Sequence, residues 1–311
     1  MLGEKLCKLF EIKYPIIQGG MAQISEAELV SAVSNAGGLG IIGAGFASPD
    51  WLREQIRETK RKTPNPFGVN LLMINPHLRE QVKVIVEEKV PFVFTGGGNP
   101  LPVMQYLRYF KIKVVPVVPF ARLAQKMEKN GAFAVVVEGL ESGGHIGRST
   151  TFCLIPQARK LLKKIPLIAA GGIYDGKTMA GALILGADGV QMGTRFLATK
   201  EAKIPEGYKK RILSARDEDL EVILSFTGHP LRVIKNKLSE KLLAMEKEGA
   251  FPEEVRAQNL ISISENANPD YAPLMAGISA GGIDKIKSVK EVIEEMMKEA
   301  EMTIKKFCSL L

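Results

Sequence analysis

The chain has 311 residues, 46% of them hydrophobic but only 6% aromatic, and a formal net charge of +8. That length allows one large core or two ordinary domains, and an apolar set built mainly from Val, Ile, Leu and Ala suits short buried parallel strands between helices. Basic and acidic residues are intermixed, without aromatic–basic interleaving, which excludes nucleic acid as a partner, and no apolar run is long enough to span a bilayer, so no membrane role is expected.

The opening stretch MLGEKLCKLF has neither a long apolar core nor a small-residue cleavage site, so no secretory leader is expected there. Three cysteines (Cys7, Cys153, Cys308) lie far apart with no CxxC, as expected of reduced thiols in a cytoplasmic protein. Three histidines (His77, His145, His229) are equally scattered, so no metal site is expected.

Strand-like runs rich in β-branched residues occur at 15–18, 39–43, 67–72 and 92–96, and again at 113–119, 133–139, 166–172 and 188–193. Helical patterns fill the gaps, among them 26–37, 122–132 and the segment that starts after Asp175 and is closed by Gly186. Eight strands alternating with helices predict an α/β fold, a parallel (β/α)8 TIM barrel over residues 1–200. A doubly wound sheet would need fewer strands or a change of rhythm midway. The rhythm stops after strand eight: residues 201–287 are more charged and read as helices and loops, a smaller lid inserted over the C-terminal mouth for substrate binding. Residues 288–311 carry an amphipathic helix that packs back on the barrel.

The glycines of GLGIIG (38–43) spell a dinucleotide-binding pattern, but they follow a helix and run into a strand, the reverse of what that turn needs. Tight helix-to-strand packing accounts for them better. The loops AAGGIYDG after strand seven and QMGTRF after strand eight lie side by side in a barrel, where backbone amides near a short helix commonly hold a phosphate. Gly171, Gly172 and Gly193 leave room for its oxygens, and Thr194 offers a hydroxyl. Gln18, Gly19, Gly20, Met21, Asn70, Thr95 and Glu138 end other strands on the same rim, and Asn70 has the donor and acceptor to read the edge of a polar ring. A phosphate at loops seven and eight with a planar polar ring across the mouth suggests flavin mononucleotide.

The run EGLESGGHIG (138–147) places His145 among glycines directly after a strand. Read blandly, it is a flexible loop with an idle imidazole; in this setting Glu138 and His145 are groups able to do proton chemistry on a flat ligand. His229 sits before Pro230, where capping or core packing is the plainer role, and His77 reads as a surface residue at a helix start. Cys153 begins a helix with no orienting acid and reads as a small buried hydrophobe. Arg232, Lys235 and Lys237 read as a solvated helix face, or more sharply as a dock for an acidic carrier protein.

Taken in order, PIIQGGMAQIS, FGVN, GGGNP, EGLESGGHIG, PLIAAGGI and QMGTRFLAT resemble the nitronate monooxygenase-like flavin barrels, a superfamily that also holds the FMN-dependent enoyl-acyl-carrier-protein reductases II. The resemblance runs from about residue 4 to beyond 280. It implies FMN at the C-terminal end of the barrel, with its phosphate on Gly171, Gly172, Gly193 and Thr194. The ring would lie near Gly20, Met21, Asn70, Thr95, Gly143 and Gly144, and Gly19, Glu138, Ala170 and Met192 complete the set. His145 matches the functional histidine of the family. In the reductase branch, NADH or NADPH reduces a trans-2-enoyl thioester, carried on acyl carrier protein or CoA, by way of the flavin. Other branches oxidise nitronates with oxygen or pass electrons from NADH to quinones. FGVNLLMINP, TGGGNP, EGLESGGHIG and TGHPLRVIKN are worded most like the reductases, although the region after residue 250 is shorter than in that type. A homodimer is a further implication of the resemblance. Outside these flavin readings, a lyase or synthase acting on a sugar phosphate would use the same phosphate loops without colour.

Overall fold

Runs of β-branched residues closed by small or polar ones form the eight strands of a barrel: β1 (Ile16–Gln18), β2 (Gly40–Gly45), β3 (Phe67–Leu72), β4 (Phe92–Gly96), β5 (Lys113–Val118), β6 (Val135–Glu138), β7 (Leu167–Ala170) and β8 (Gly189–Met192). The computed structural model describes residues 2–224, 228–249 and 268–309. All adjacent strands are parallel, in the bonded order β1-β8-β7-β6-β5-β4-β3-β2. The seam between β2 and β1 is closed by a parallel bridge from Ile17 to Leu39. The protein is thus a (β/α)8 barrel, and the strand runs read from the sequence fall within two residues of the observed ends.

Alternation along each strand sorts the apolar residues into two layers. Ile17, Leu39, Ile41, Phe92, Phe94, Val115, Val136 and Ile168 fill the interior. Leu6 and Phe10, from the helix Glu4–Phe10, plug its base, and Phe10 stacks on Phe92 with ring centroids 4.8 Å apart. The other strand face packs on the surrounding helices. Helix Gly176–Ile184 opens with a reciprocal capping box between Asp175 and Thr178. Helix Val289–Cys308, opened by a Ser288–Glu291 capping box, packs against it and against helix Ala27–Asn35. Gly176 makes that contact possible, since a Cβ there would stand 2.5 Å from the Ala300 nitrogen. The glycines of 38–43 serve packing as expected: a Cβ on Gly40 would meet the Val30 carbonyl at 2.2 Å, and one on Gly43 the Met21 carbonyl at 2.2 Å.

After β8, helices Glu206–Ser214 and Lys237–Lys247 agree with the expected helices and loops, but two strands depart from that expectation. Strands β9 (Leu220–Leu224) and β10 (Pro230–Ile234) form an antiparallel hairpin. The inner strand also pairs with Gly144–His145 of the loop after β6, with Leu231 opposite His145 and Arg232 opposite Gly144. Glu221 and Arg232 interrupt the apolar pattern of each run, which hides the strands from a composition reading. Arg232 is therefore not part of a solvated helix face; it is buried in β10 and donates to the Leu140 carbonyl at 3.0 Å, while Lys235 and Lys237 remain exposed. Cys153 is exposed rather than buried, because Leu154, Ile155 and Ala158 take the inward face of helix Thr151–Leu161. The stretch 250–267, expected to belong to the lid, lies outside the described residues. Among the described residues no helix is long and apolar enough to cross a membrane, and no group of three or more His, Cys, Asp or Glu is placed to hold a metal ion.

Candidate active site

The barrel register brings the ends of the strands to one level at the C-terminal mouth. Gln18 pairs with Met192, Gln191 with Ala170, Ala170 with Glu138, and Leu71, next to Asn70, with Thr95. Asn70 reaches across to donate to the Gly20 carbonyl at 3.4 Å, and a Cβ on Gly20 would collide with the Asn70 side chain at 2.3 Å. Gly193 faces the Met21 sulfur at a distance that an added Cβ would reduce to 3.4 Å. Gly20, Met21, Asn70 and Gly193 thus form one contiguous wall.

Next to that wall lie the β7 and β8 loops. Gly171 and Gly172 both take positive φ, +96° and +74°, a backbone that exposes successive amides and that other residues adopt only with strain. A Cβ on Gly171 would also meet the Thr151 hydroxyl at 2.9 Å. Gly193 precedes a four-residue helix, Thr194–Leu197, the short extra helix that barrel phosphate sites commonly use. The Thr194 hydroxyl is buried and accepts from the Gly277 amide at 2.9 Å, which leaves its proton free to donate elsewhere.

Not every polar group at the mouth faces a ligand. Gln18 is fully buried and spends its amide on the barrel seam. Glu141 caps helix Thr151–Leu161, its carboxylate accepting from the Thr151 amide at 2.8 Å and hydroxyl at 2.8 Å. Thr95 is different: its hydroxyl is buried and finds no partner among the described residues. Beside it, a Cβ on Gly96 would meet nothing within 4 Å. A stranded hydroxyl next to open space at the end of β4 is what a bound polar group would satisfy.

The loop after β6 carries the ionisable groups. Part of the Glu138 side chain remains accessible, yet burial pushes its carboxyl up to about 7, with the neighbouring Ser142 acting in the opposite direction. His145 keeps exposed surface, but its crowded setting and then the nearby His229 hold its imidazole below the ordinary histidine range. The two rings stand 6.3 Å apart, centroid to centroid, at 74°. His229, read from the sequence as a cap or core residue, is thus brought to the predicted catalytic histidine; only the pairing of β10 with Gly144–His145, invisible locally, reveals it. Gly143 makes close backbone contact with the segment 275–278, where an added Cβ would stand 2.5 Å from the Ala276 carbonyl carbon. That segment is further tied to the loop by the Ile278 amide donating to the Glu141 carbonyl at 3.0 Å.

A profile of the nitronate monooxygenase family matches residues 3–82 and 74–299. FabK from Thermotoga maritima is 43% identical and superposes with a TM-score of 0.94, each chain covered over 99% of its length. A nitroalkane oxidase from Streptomyces ansochromogenes is 25% identical, with a TM-score of 0.85, over 97% of this chain and 99% of that one. A Mycobacterium tuberculosis protein named (3aS,4S,5R,7aS)-5-hydroxy-7a-methyl-1-oxo-octahydro-1H-indene-4-carboxyl-CoA dehydrogenase is 36% identical over 81% of this chain and 71% of its own. A Staphylococcus saprophyticus protein named "Probable nitronate monooxygenase" is 31% identical over 96% and 98%. A barrel with these loops and these relatives is a flavin-dependent oxidoreductase. Within that class the chain belongs to the nitronate monooxygenase family.

Proposed function

We propose that the protein binds FMN at the barrel mouth and uses NADH or NADPH to reduce trans-2-enoyl thioesters carried on CoA or acyl carrier protein. The observation that carries the reading is 43% identity to FabK over 99% of both chains, well above the 25% shared with the nitroalkane oxidase. The CoA thioester in the name of the mycobacterial relative supports the same substrate class.

The residues fit the cofactor. Consecutive amides at Gly171 and Gly172, with Gly193 and the Thr194 hydroxyl beside the short helix, would take the phosphate, and Ala170 and Met192 end the strands beneath it. The stranded Thr95 hydroxyl and the Asn70 amide would meet polar edges of the ring, over a floor of Gly19, Gly20 and Met21. Gly143 and Gly144 let the β6 loop approach closely from the other side. Bound there, FMN supplies hydride acceptance from reduced nicotinamide and hydride donation to the enoyl β-carbon. The protein's part is to exclude water, orient the thioester and handle the proton. His145 would polarise the thioester carbonyl or deliver the proton to the α-carbon, and Glu138, its carboxyl pushed up to about 7 by burial, would hold a proton at the end of β6. The hairpin β9–β10 and the segment 275–278 would act as a lid over this chemistry, the barrel as the cofactor domain and helix Val289–Cys308 as its closing element. Assembly as a homodimer belongs to the same reading.

The test is anaerobic oxidation of NADH and NADPH by FMN-loaded protein with and without crotonyl-CoA. Oxidation that depends on the thioester and yields the saturated product is expected. Flavin reduction that ignores the thioester would transfer the reading to nitronates, the activity that names the family profile and the staphylococcal relative. A colourless protein that takes up no FMN would overturn the flavin site altogether.

A further inference from the structure

His229 stands just outside the strand pairing that joins the hairpin to the barrel. Leu231 lies opposite His145, Arg232 lies opposite Gly144, and the Ile146 amide donates to the Pro230 carbonyl at 3.2 Å. Those bonds place residue 229 against the loop that carries His145, and its ring meets the His145 ring edge to face at 6.3 Å. Arg232 adds a second tie, its guanidinium donating to the Leu140 carbonyl at 3.0 Å. Among the described residues, the other ionisable groups on these elements are Glu138 at the end of β6, Glu141 and Arg148 on the loop itself, Arg232 on β10 and Glu221 on β9. Glu141 is committed to Thr151, and the segment 275–278 brings no ionisable side chain.

We infer that His229 is the second member of an imidazole pair at the mouth, and that through the seated hairpin it sets the proton affinity of His145. Two imidazolium rings at this separation repel, so the pair takes up its second proton less readily than an isolated histidine would. The direction agrees with the depressed value of His145, to which burial contributes first and His229 second. The effect keeps His145 neutral over a wider span of pH on the acid side. It also makes the seating of the hairpin and the charge on His145 reciprocal: protonating both rings weakens the pairing of β10 with Gly144–His145. His229 is therefore a positioning residue acting through His145, and no contact between His229 and substrate is needed.

The inference deepens the proposed function, which makes His145 the proton-handling residue, but its test does not depend on the substrate. With only three histidines in the chain, the imidazole resonances of flavin-loaded protein can be assigned by single substitution and titrated by NMR. His229→Gln removes the neighbouring imidazole, and the His145 midpoint is expected to move to higher pH. His229→Lys places a permanent charge there, and the midpoint is expected to move to lower pH. His77→Gln, at an exposed position before the helix that follows β3, leaves it where it was. His229 is exposed, so neither substitution there empties a core. Opposite displacements in the two variants establish the pair, since a merely structural role moves both the same way or neither. An unchanged midpoint in both, or displacement in one direction by both, overturns it. If the midpoints move as expected while the pH dependence of thioester-driven NADH oxidation stays fixed, the pair stands and the assignment of His145 to the reaction falls.

Discussion

Glycine and histidine in the run 138–147 do separate work. Gly143 is small because the backbone of Ala276 and Gly277 presses on it, whereas His145 keeps exposed surface on the same loop. His145→Ala leaves that backbone contact untouched, so flavin should stay bound while turnover falls by roughly 10²–10⁴-fold, the scale of a lost general acid or base. Steady-state rates on flavin-loaded variant decide it, and unchanged turnover would remove His145 from the proton chemistry. Glu138 yields a prediction about stability. Its folded value of about 7 lies above the unfolded carboxylate value of about 4.3, so its contribution to stability is complete below the latter and is lost as pH rises through the former. Glu138→Gln cannot ionise. In flavin-free protein its urea midpoint should therefore gain on that of the unsubstituted chain as pH is raised from about 5 to about 8. A difference that stays constant over that range would mean that Glu138 ionises as an ordinary surface carboxylate.

At the scale of elements, the site depends on a join between parts far apart in the chain. Arg232 ties β10 to the Leu140 carbonyl, and a hydrogen bond from a charged donor is worth about 1.5–3 kcal/mol. Arg232→Met keeps much of the buried stem but removes the donor. The Ile146 amide, bonded to Pro230, should then exchange with solvent about tenfold faster or more, while amides in β3 and β4 keep their protection. Equal exchange at Ile146 would show that the backbone pairing holds the loop unaided. This join also marks where the sequence stops being legible. The eight barrel strands and the helix opened by Asp175 declare themselves locally, through β-branched runs and a capping residue. The glycine loops after β7 and β8 are legible because barrel geometry makes them neighbours. The hairpin is not, because its runs carry Glu221 and Arg232 and its third strand is two residues borrowed from another loop. The same gap hid His229, and it turned Arg232 from a buried tie into an apparent surface charge. Cys153 differs from its sequence reading for a smaller reason: the inward face of its helix is set by Leu154, Ile155 and Ala158, the first of them one residue, about 100°, further round the helix.

For the whole molecule, the least regular step is the closure of the barrel. Between β1 and β2 the backbone gives one bridge, at Ile17 and Leu39, and the next rung is supplied by a side chain. The Gln18 amide stands in for a peptide: the Ile41 amide donates to its oxygen at 3.2 Å, and its nitrogen lies 3.4 Å from the Ile41 carbonyl. The same nitrogen donates to the Ser25 hydroxyl at 2.8 Å, and that hydroxyl accepts from the Met21 amide at 2.9 Å. One buried glutamine thus joins the seam of the barrel to the Gly19–Met21 turn at its mouth. Gln18→Leu preserves the volume and strands the Ile41 amide and carbonyl, each at a cost of about 1–3 kcal/mol. Urea unfolding should show a loss of about 2–6 kcal/mol, and retained FMN should fall in the same preparation, because the turn proposed to lie under the ring loses its anchor. A loss below about 0.5 kcal/mol would mean that the strands close without the amide. Lower stability with full flavin retention would mean that Ser25 alone fixes the turn, and that the closure of the barrel and the shape of its mouth are separable.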